Sequence, residues 1–127
     1  RHDLNGRVVV IDCVTLWGTN FFFDNEGDTN RSLVELKEEF NKLTEQDAYL
    51  IFVTNEIGLG GVSPDAVQRR FTDLQGWLNQ YIACRADEVI LMVSGIPSGQ
   101  RYICIRPRDR RRRRQTITQR SDTPGDT

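Results

Sequence analysis

Residues 7–12 read Arg-Val-Val-Val-Ile-Asp, and residues 48–54 read Ala-Tyr-Leu-Ile-Phe-Val-Thr. Both stretches are short apolar runs rich in β-branched and aromatic residues, which is typical of β-strands. We expect both strands to be buried, and the first to be covered on both faces, as strands of parallel sheets are. Each run leads into polar residues, Asp12 after the first and residues 54–56 after the second. The sequence therefore predicts functional side chains at the carboxyl edge of a parallel sheet.

Apolar residues at helical spacing fill the segments between and after these strands. The sequence predicts three helices, which cover residues 14–23, 32–43 and 64–82. We expect Asn30 or Ser32 to cap the second helix and Ser63 to cap the third, with Pro64 at its first position. Strands that alternate with helices predict an α/β fold with a mainly parallel sheet and flanking helices.

The last third of the chain divides into a strand-forming part and a basic tail. A third buried strand is predicted over residues 89–93, where a Ser-Gly-Ile-Pro-Ser-Gly sequence ends it, and residues 101–105 form a candidate fourth strand. Seven of the nine residues from 106 to 114 are arginine, and such a segment cannot bury enough apolar area to fold. We therefore assign residues 1–105 to one α/β domain and residues 106–127 to a disordered, Arg-rich tail.

The charge of the chain is divided between these two parts. Residues 101–127 carry nine arginines against three aspartates, a net charge of +6, whereas the preceding hundred residues carry −7. An arginine-rich arm can bind nucleic-acid phosphates, but no aromatic residue follows Tyr102 to stack on bases. We therefore expect a solvated tail and no nucleic-acid partner. A non-enzymatic subunit or pseudo-enzyme with a nucleic-acid-binding tail stays the alternative.

The number and spacing of the cysteines and the length of the apolar runs indicate the cellular compartment of the protein. Cys13, Cys84 and Cys104 show neither C-x-x-C nor zinc spacing, and their odd number favours reduced thiols in a cytoplasmic protein. Nowhere does an apolar run approach the roughly 20 residues of a membrane-spanning helix. We expect a cytoplasmic protein without a membrane span.

Two groups of polar residues are candidates for binding. Asp12, at a strand tip, could hold Mg²⁺ near a nucleotide phosphate, or could only cap the following turn. Asn55 and Glu56 precede three glycines that let a backbone approach a phosphate, and the loop leads to a helix start, which favours an anion. The G-x-x-x-x-G-K-[ST] motif is absent from these residues, so the loop is no P-loop and a plain Gly-rich turn stays open.

The third predicted helix carries further polar residues, which are Arg69, Arg70, Asp73, Asn79 and Gln80. Arg70, Asp73 and Gln80 lie off its apolar stripe, and a solvated helix face accounts for them. A glycine in a helix interior costs about 1 kcal/mol relative to alanine. We therefore expect another backbone or a ligand to come close to Gly76.

Together these motifs resemble one known family. The matching segments are Val9–Trp17 with Asn20, Val53–Gly60 with Pro64, Arg70–Gln80 and Ala86–Pro97. In this order and spacing they look like the C-terminal two-thirds of the bifunctional cobalamin-biosynthesis enzyme adenosylcobinamide kinase/adenosylcobinamide-phosphate guanylyltransferase. The order of four motifs is far more specific than any one of them.

The resemblance implies a RecA-like P-loop fold and a homo-oligomer, which is a trimer in the family. The family phosphorylates adenosylcobinamide with a nucleoside triphosphate, ATP or GTP, and then transfers GMP from GTP to adenosylcobinamide phosphate through a guanylylated histidine. Asp12 matches the family's acidic position that contacts the guanine nucleotide or its Mg²⁺. Asn55 and Glu56 match an Asn-Glu pair that the resemblance implies is nucleotide-binding, and we expect Glu56 near the nucleotide or the subunit interface.

The sequence also departs from the family pattern. The P-loop and the guanylylated histidine have no counterpart, and His2 lies too close to Asp12 to take that histidine's role. We therefore assign no catalytic residue, and we expect a truncated or frame-disrupted form that lacks the N-terminal P-loop unit. A different P-loop kinase with another acceptor is a further alternative.

Overall fold

The computed structural model describes residues 3–99, which form four β-strands, three α-helices and a short 3₁₀ helix. In chain order the elements are β1 (Val8–Asp12), α1 (Val14–Asp24), α2 (Thr29–Thr44), β2 (Tyr49–Val53), the 3₁₀ helix (Ile57–Gly60), α3 (Ala66–Ala83), β3 (Ile90–Val93) and β4 (Ile96–Gly99). His2, Cys104, the candidate strand over 101–105 and the predicted tail over 106–127 lie outside the described residues.

The first two strands form a parallel pair, as predicted. The register runs from Val8 opposite Tyr49 to Asp12 opposite Val53, and α1 and α2 make the crossover between the strands. The α/β class and the parallel sheet with flanking helices are therefore confirmed for these elements.

The two faces of this sheet differ, and the prediction that the first strand is covered on both faces is wrong. Exposure alternates along β1 and β2, and Val8, Val10 and Tyr49 are 70%, 58% and 67% exposed. The other face carries Phe52, which packs against the helical core. An apolar strand sequence does not show whether one or two layers cover it, so the pattern alone could not separate these cases.

The core lies between the sheet and the three helices. Its buried apolar side chains are Val14, Phe22, Leu36, Phe40, Leu74, Leu78 and Ile82. The Phe40 ring lies 5.1 Å from that of Phe52 and 5.8 Å from that of Tyr81, measured between centroids. Aromatic contacts therefore join β2 to α2 and α3.

The helices α2 and α3 begin at aspartates rather than at the predicted caps. The Asp28 carboxylate accepts the Arg31 backbone N–H at 2.9 Å at the start of α2, and the Asp65 carboxylate accepts that of Gln68 at 2.7 Å at the start of α3. The predicted caps at Asn30, Ser32 and Ser63 are wrong, because α2 begins before residue 30 and α3 begins only after Pro64.

A different glycine from the predicted one permits close packing. A Cβ at Gly76 would meet no heavy atom within 4 Å among the described residues, so no other backbone in that part of the chain comes close to it. A Cβ at Gly18, in contrast, would lie 3.3 Å from the Gln75 Oε1 atom. Gly18 is buried in α1 and allows that helix to approach α3.

The predicted third parallel strand is instead one half of a hairpin. β3 pairs with β4 in antiparallel register, Ile90 opposite Gly99. Ser94 and Gly95 connect them with φ of 51° and 78°, the left-handed backbone that two-residue hairpin turns require. This turn sends the chain back along β3, and most β3 side chains are exposed. The prediction of a buried third strand is therefore wrong.

The cysteine and membrane predictions have separate outcomes. The Cys13 thiol is free, as predicted, but the Cys84 sulfur is in a disulfide, so the prediction of reduced thiols is wrong there. From residue 3 to residue 99, no helix combines the length and the apolar character needed to cross a membrane.

Candidate functional site

The carboxyl ends of β1 and β2 lie side by side. Asp12 is the last residue of β1 and faces Val53, the last residue of β2. Residues 54–56 continue directly from Val53 into a loop that precedes the 3₁₀ helix. The parallel register therefore brings the two predicted polar groups to one edge of the sheet, where open α/β sheets bind ligands.

A partly buried polar cluster ties this edge to α3. Asn79 donates from Nδ2 to the Asn55 carbonyl oxygen at 3.0 Å and to Glu56 Oε1 at 3.1 Å. Thr54 donates its hydroxyl proton to Asn79 Oδ1 at 2.6 Å. The loop after β2 is thus held by a side chain that lies one helix away.

Gln75 completes the cluster one turn earlier on α3. Its Nε2 atom donates to Thr54 Oγ1 and to Asn79 Oδ1, both at 2.9 Å. Gln75 is only 1% exposed, and its Oε1 atom has no hydrogen-bond partner within residues 3–99. A buried amide oxygen without a hydrogen bond costs free energy, whereas both protons of the Gln75 amide are used within the cluster. We name Thr54, Asn55, Glu56, Gln75 and Asn79 the amide cluster.

A second contact joins the loop to α1. Asn55 donates from Nδ2 to Thr15 Oγ1 at 3.2 Å. Thr15 lies in the first turn of α1, directly after the end of β1. The Asn55 side chain therefore bridges the two strand ends, which is the position expected of a residue that contacts a ligand at this edge.

Asp12 lies at the same edge but outside the amide cluster. Its side chain is exposed, on the same face of the sheet as Val10. It borders a depression of about 310 Å³ whose other lining residues are Ile11, Cys13, Leu16, Trp17, Asn20 and Leu43. Within residues 3–99 it makes no hydrogen bond to Asn55 or Glu56.

The side chains at this edge could hold a cation only together with oxygen atoms from water or a bound substrate. Among the described residues, no group of three His, Cys, Asp or Glu side chains is placed to hold a metal ion. Mg²⁺ in nucleotide sites is commonly bound by one or two carboxylates together with water and substrate phosphates. A single exposed carboxylate at Asp12 fits that kind of site and does not fit a cage made by the protein alone.

The predicted anion site at the start of α3 is not formed. The Asp65 carboxylate already accepts the Gln68 N–H, and a second negative charge there would be repelled. Arg69 donates from Nη1 to the carbonyl oxygens of Ser63 and Pro64 at 2.9 and 2.7 Å. The Gly-rich loop thus reaches a helix start that the protein's own groups occupy, and the plain turn is the better interpretation of its glycines.

Only one member of the polar set predicted on α3 belongs to the site. Asn79 is in the amide cluster, whereas Asp73 and Gln80 are exposed. Arg70 lies beside the turn between α1 and α2, since its Nη2 atom would be 3.5 Å from a Cβ at Gly27. Sequence reasoning missed Gln75, although two amides four residues apart lie on the same face of a helix.

These features define an α/β protein with a polar edge at the carboxyl ends of two parallel strands. A family model described as cobinamide kinase / cobinamide phosphate guanyltransferase matches residues 1–99. The chain belongs to this family, which confirms the resemblance drawn from the motifs.

Three curated relatives are similar to the chain. The bifunctional adenosylcobalamin biosynthesis protein CobP of Pseudomonas aeruginosa is 39% identical over 92 residues, covering 72% of this chain and 52% of the relative. The protein CobU of Escherichia coli, which has the same description, is 35% identical over 106 residues, with 74% and 59% covered. CobU of Salmonella typhimurium is 30% identical, with 69% and 55% covered. The chain thus spans about half the length of the curated relatives it matches.

Proposed function

We propose that the protein serves in adenosylcobinamide phosphorylation and in the transfer of GMP from GTP to adenosylcobinamide phosphate, in cobalamin biosynthesis. The family match over residues 1–99 and the description of the curated relatives as bifunctional adenosylcobalamin biosynthesis proteins support this. Its role in these reactions is to bind the guanine nucleotide at the carboxyl edge of the sheet.

The observation that carries the proposal is the convergence of two motifs at one edge. The register of β1 and β2 sets Asp12 beside Val53, and the Asn55 side chain reaches back to Thr15 at the start of α1. Residues more than forty positions apart in the chain therefore come together where parallel sheets bind ligands.

Each residue at the edge has a proposed role. Asp12, exposed and free of the amide cluster, would hold Mg²⁺ beside the nucleotide, and the ion would offset the negative charge of the phosphates when bound. Asn55 would contact the nucleotide through its amide. Glu56, whose Oε1 atom is held by Asn79, would lie beside the nucleotide or at a subunit interface.

The remaining proposals follow from the family. We infer a RecA-like P-loop arrangement for the complete fold, GTP, ATP and Mg²⁺ as the nucleotides and ion, and a cytoplasmic homotrimer. The substrates would be adenosylcobinamide and its phosphate. Mass measurement by light scattering on the full chain tests the oligomer: three times the chain mass of 14.6 kDa is expected, and a monomer at every concentration would contradict the trimer.

Calorimetric titration with GTP tests nucleotide binding directly. We expect weak, Mg²⁺-dependent binding, with a dissociation constant on the order of 0.1 to 1 mM, that is lost when EDTA is added. Circular dichroism on the same sample establishes that the protein is folded. No heat of binding at millimolar GTP, from a folded protein with Mg²⁺ present, would overturn the proposal.

The Asp12→Asn variant tests the metal role. We expect GTP affinity in Mg²⁺ to fall about 10- to 100-fold, the loss typical of a damaged metal environment, with little change in thermal stability because Asp12 is exposed. Asp47→Asn removes an exposed carboxylate just before β2, at the opposite edge of the sheet, and should leave affinity unchanged. Equal affinities for both variants would leave Asp12 as a turn residue.

A further inference from the structure

The loop that follows β2 is held by one buried amide. Asn79 is 7% exposed, and its Nδ2 atom uses both of its protons on this loop, one on the Asn55 carbonyl oxygen and one on Glu56 Oε1. An amide nitrogen has two protons to donate. Its donor capacity is therefore fully used, and all of it is directed at two neighbouring residues.

The acceptor side of the same amide is also fully used. Asn79 Oδ1 accepts from the Thr54 hydroxyl at 2.6 Å and from Gln75 Nε2 at 2.9 Å. Gln75 also donates to Thr54 Oγ1. Because a carbonyl oxygen has two lone pairs, these contacts fix which way the Asn79 amide points, and hence where its two protons lie.

The loop needs such an external support. Residues 54–56 lie between the end of β2 and the 3₁₀ helix, so no regular element orders their backbone. A backbone or carboxylate oxygen held by a buried donor loses much of its conformational freedom. The Asn55 backbone and the Glu56 side chain are thus held from α3, by a side chain that itself lies below the surface, while the Asn55 side chain is held by Thr15 of α1.

We propose that Asn79 is the positioning residue of the site: it fixes the conformation of the Asn55–Glu56 segment for nucleotide, while Gln75 and Thr54 orient its amide. This role rests on the proposed function for its purpose, but the positioning itself can be measured without nucleotide. Asn79 lies behind the loop and does not itself contact the ligand.

Hydrogen–deuterium exchange of the full chain tests the positioning. Asn79→Asp replaces the two donors with an acceptor and puts a second carboxylate beside Glu56, so amides of residues 54–61 should exchange at least tenfold faster, while those of β1 keep their rates. Gln68→Glu is the matched control, since it adds one negative charge at an exposed position of the same helix. Unchanged exchange in residues 54–61 of the Asn79→Asp protein would overturn the proposal.

A milder pair of variants keeps the test decisive if Asn79→Asp fails to fold. Thr54→Val has nearly the same shape but cannot donate to Asn79, whereas Thr54→Ser keeps the hydroxyl. We expect faster exchange of residues 54–61 in the valine variant and wild-type exchange in the serine variant. Equal exchange in the two variants would show that the hydroxyl does not orient the amide.

GTP affinity then separates a positioning role from a merely structural one. We expect affinity to fall about tenfold in Thr54→Val and to be retained in Thr54→Ser, at equal melting temperatures. Unchanged affinity in Thr54→Val, with the loop exchanging faster, would contradict the role toward nucleotide. If the wild-type protein binds no GTP, the proposed function fails, whereas the exchange results still decide whether Asn79 positions the loop.

Discussion

The two faces of the β1–β2 sheet have the same apolar character and different surroundings. On one face Phe52 joins a core that includes Leu78 and Phe40, both buried. On the other face Val8, Val10 and Tyr49 are exposed. Folding of residues 3–99 therefore depends on the helical face, while the polar edge, where both faces end, is exposed.

The largest expected effect is on the helical face. Leu78→Ala removes a fully buried side chain and should lower the free energy of unfolding by about 2 to 5 kcal/mol, since it loses burial and leaves a cavity. Val10→Ala on the open face should lower it by less than about 1 kcal/mol, because most of that side chain stays in water. Urea unfolding of both variants gives the difference.

The effect of Val10→Ala also tests whether the open face is exposed in solution. If Val10→Ala cost as much as Leu78→Ala, the open face would be covered in solution. Repeating the urea unfolding over a range of protein concentrations would then show whether a second copy covers it, because only association makes the midpoint depend on concentration.

A smaller effect distinguishes two candidate helix caps next to the site. Asp65→Ala removes the carboxylate that accepts the Gln68 N–H and should cost about 1 kcal/mol. Ser63→Ala should cost less, since the Ser63 hydroxyl accepts only the Asp65 N–H, in the loop before the helix, at 3.2 Å. Thermal unfolding of the two proteins compares them, and a larger loss for Ser63→Ala would favour the cap predicted from sequence.

The smallest effect is a pH dependence at the turn between α1 and α2. The hydrogen bond from the Asn25 amide, followed by that from Arg31, lowers the pKa of Glu35 below its ordinary value of 4.5. A carboxyl group with a lowered folded-state pKa stabilises the protein above the unfolded pKa, and this contribution is lost as the pH falls through the folded one.

Melting temperatures measured from about pH 6 to about pH 3 test this linkage. The wild-type melting temperature should fall slightly more than that of Glu35→Gln over the acid range, and Glu38→Gln, exposed on the same helix, should behave as wild type. If the melting temperatures of wild type and Glu35→Gln fell equally with pH, Glu35 would not contribute to the pH dependence of stability.

Sequence patterns predicted the first two strands and the three helices well, since their apolar spacing is local information. The hairpin at Ser94 and Gly95 was missed because both residues adopt positive φ, and Ser-Gly was interpreted as a break. The open face of the sheet was missed for a different reason. The composition of a strand shows that its surface is apolar, but it does not show what packs on that surface.

The candidate site was only partly predictable. Asp12, Asn55 and Glu56 could be placed at one edge because parallel strands share their carboxyl ends. The amide cluster could not be predicted, since it requires the rotation of α3 that turns Gln75 and Asn79 toward the loop. No other backbone among the described residues approaches Gly76, and the close contact between helices lies at Gly18 instead.

The most direct measurement is hydrogen–deuterium exchange of the full chain with and without saturating GTP and Mg²⁺. Nucleotide binding at the carboxyl edge predicts slower exchange in residues 12–16 and 54–58, with other segments unchanged. Protection confined to another surface, such as the groove between α2 and α3 that contains Trp77 and Tyr81, would contradict that location, and so would a calorimetric binding signal with no protection at the edge.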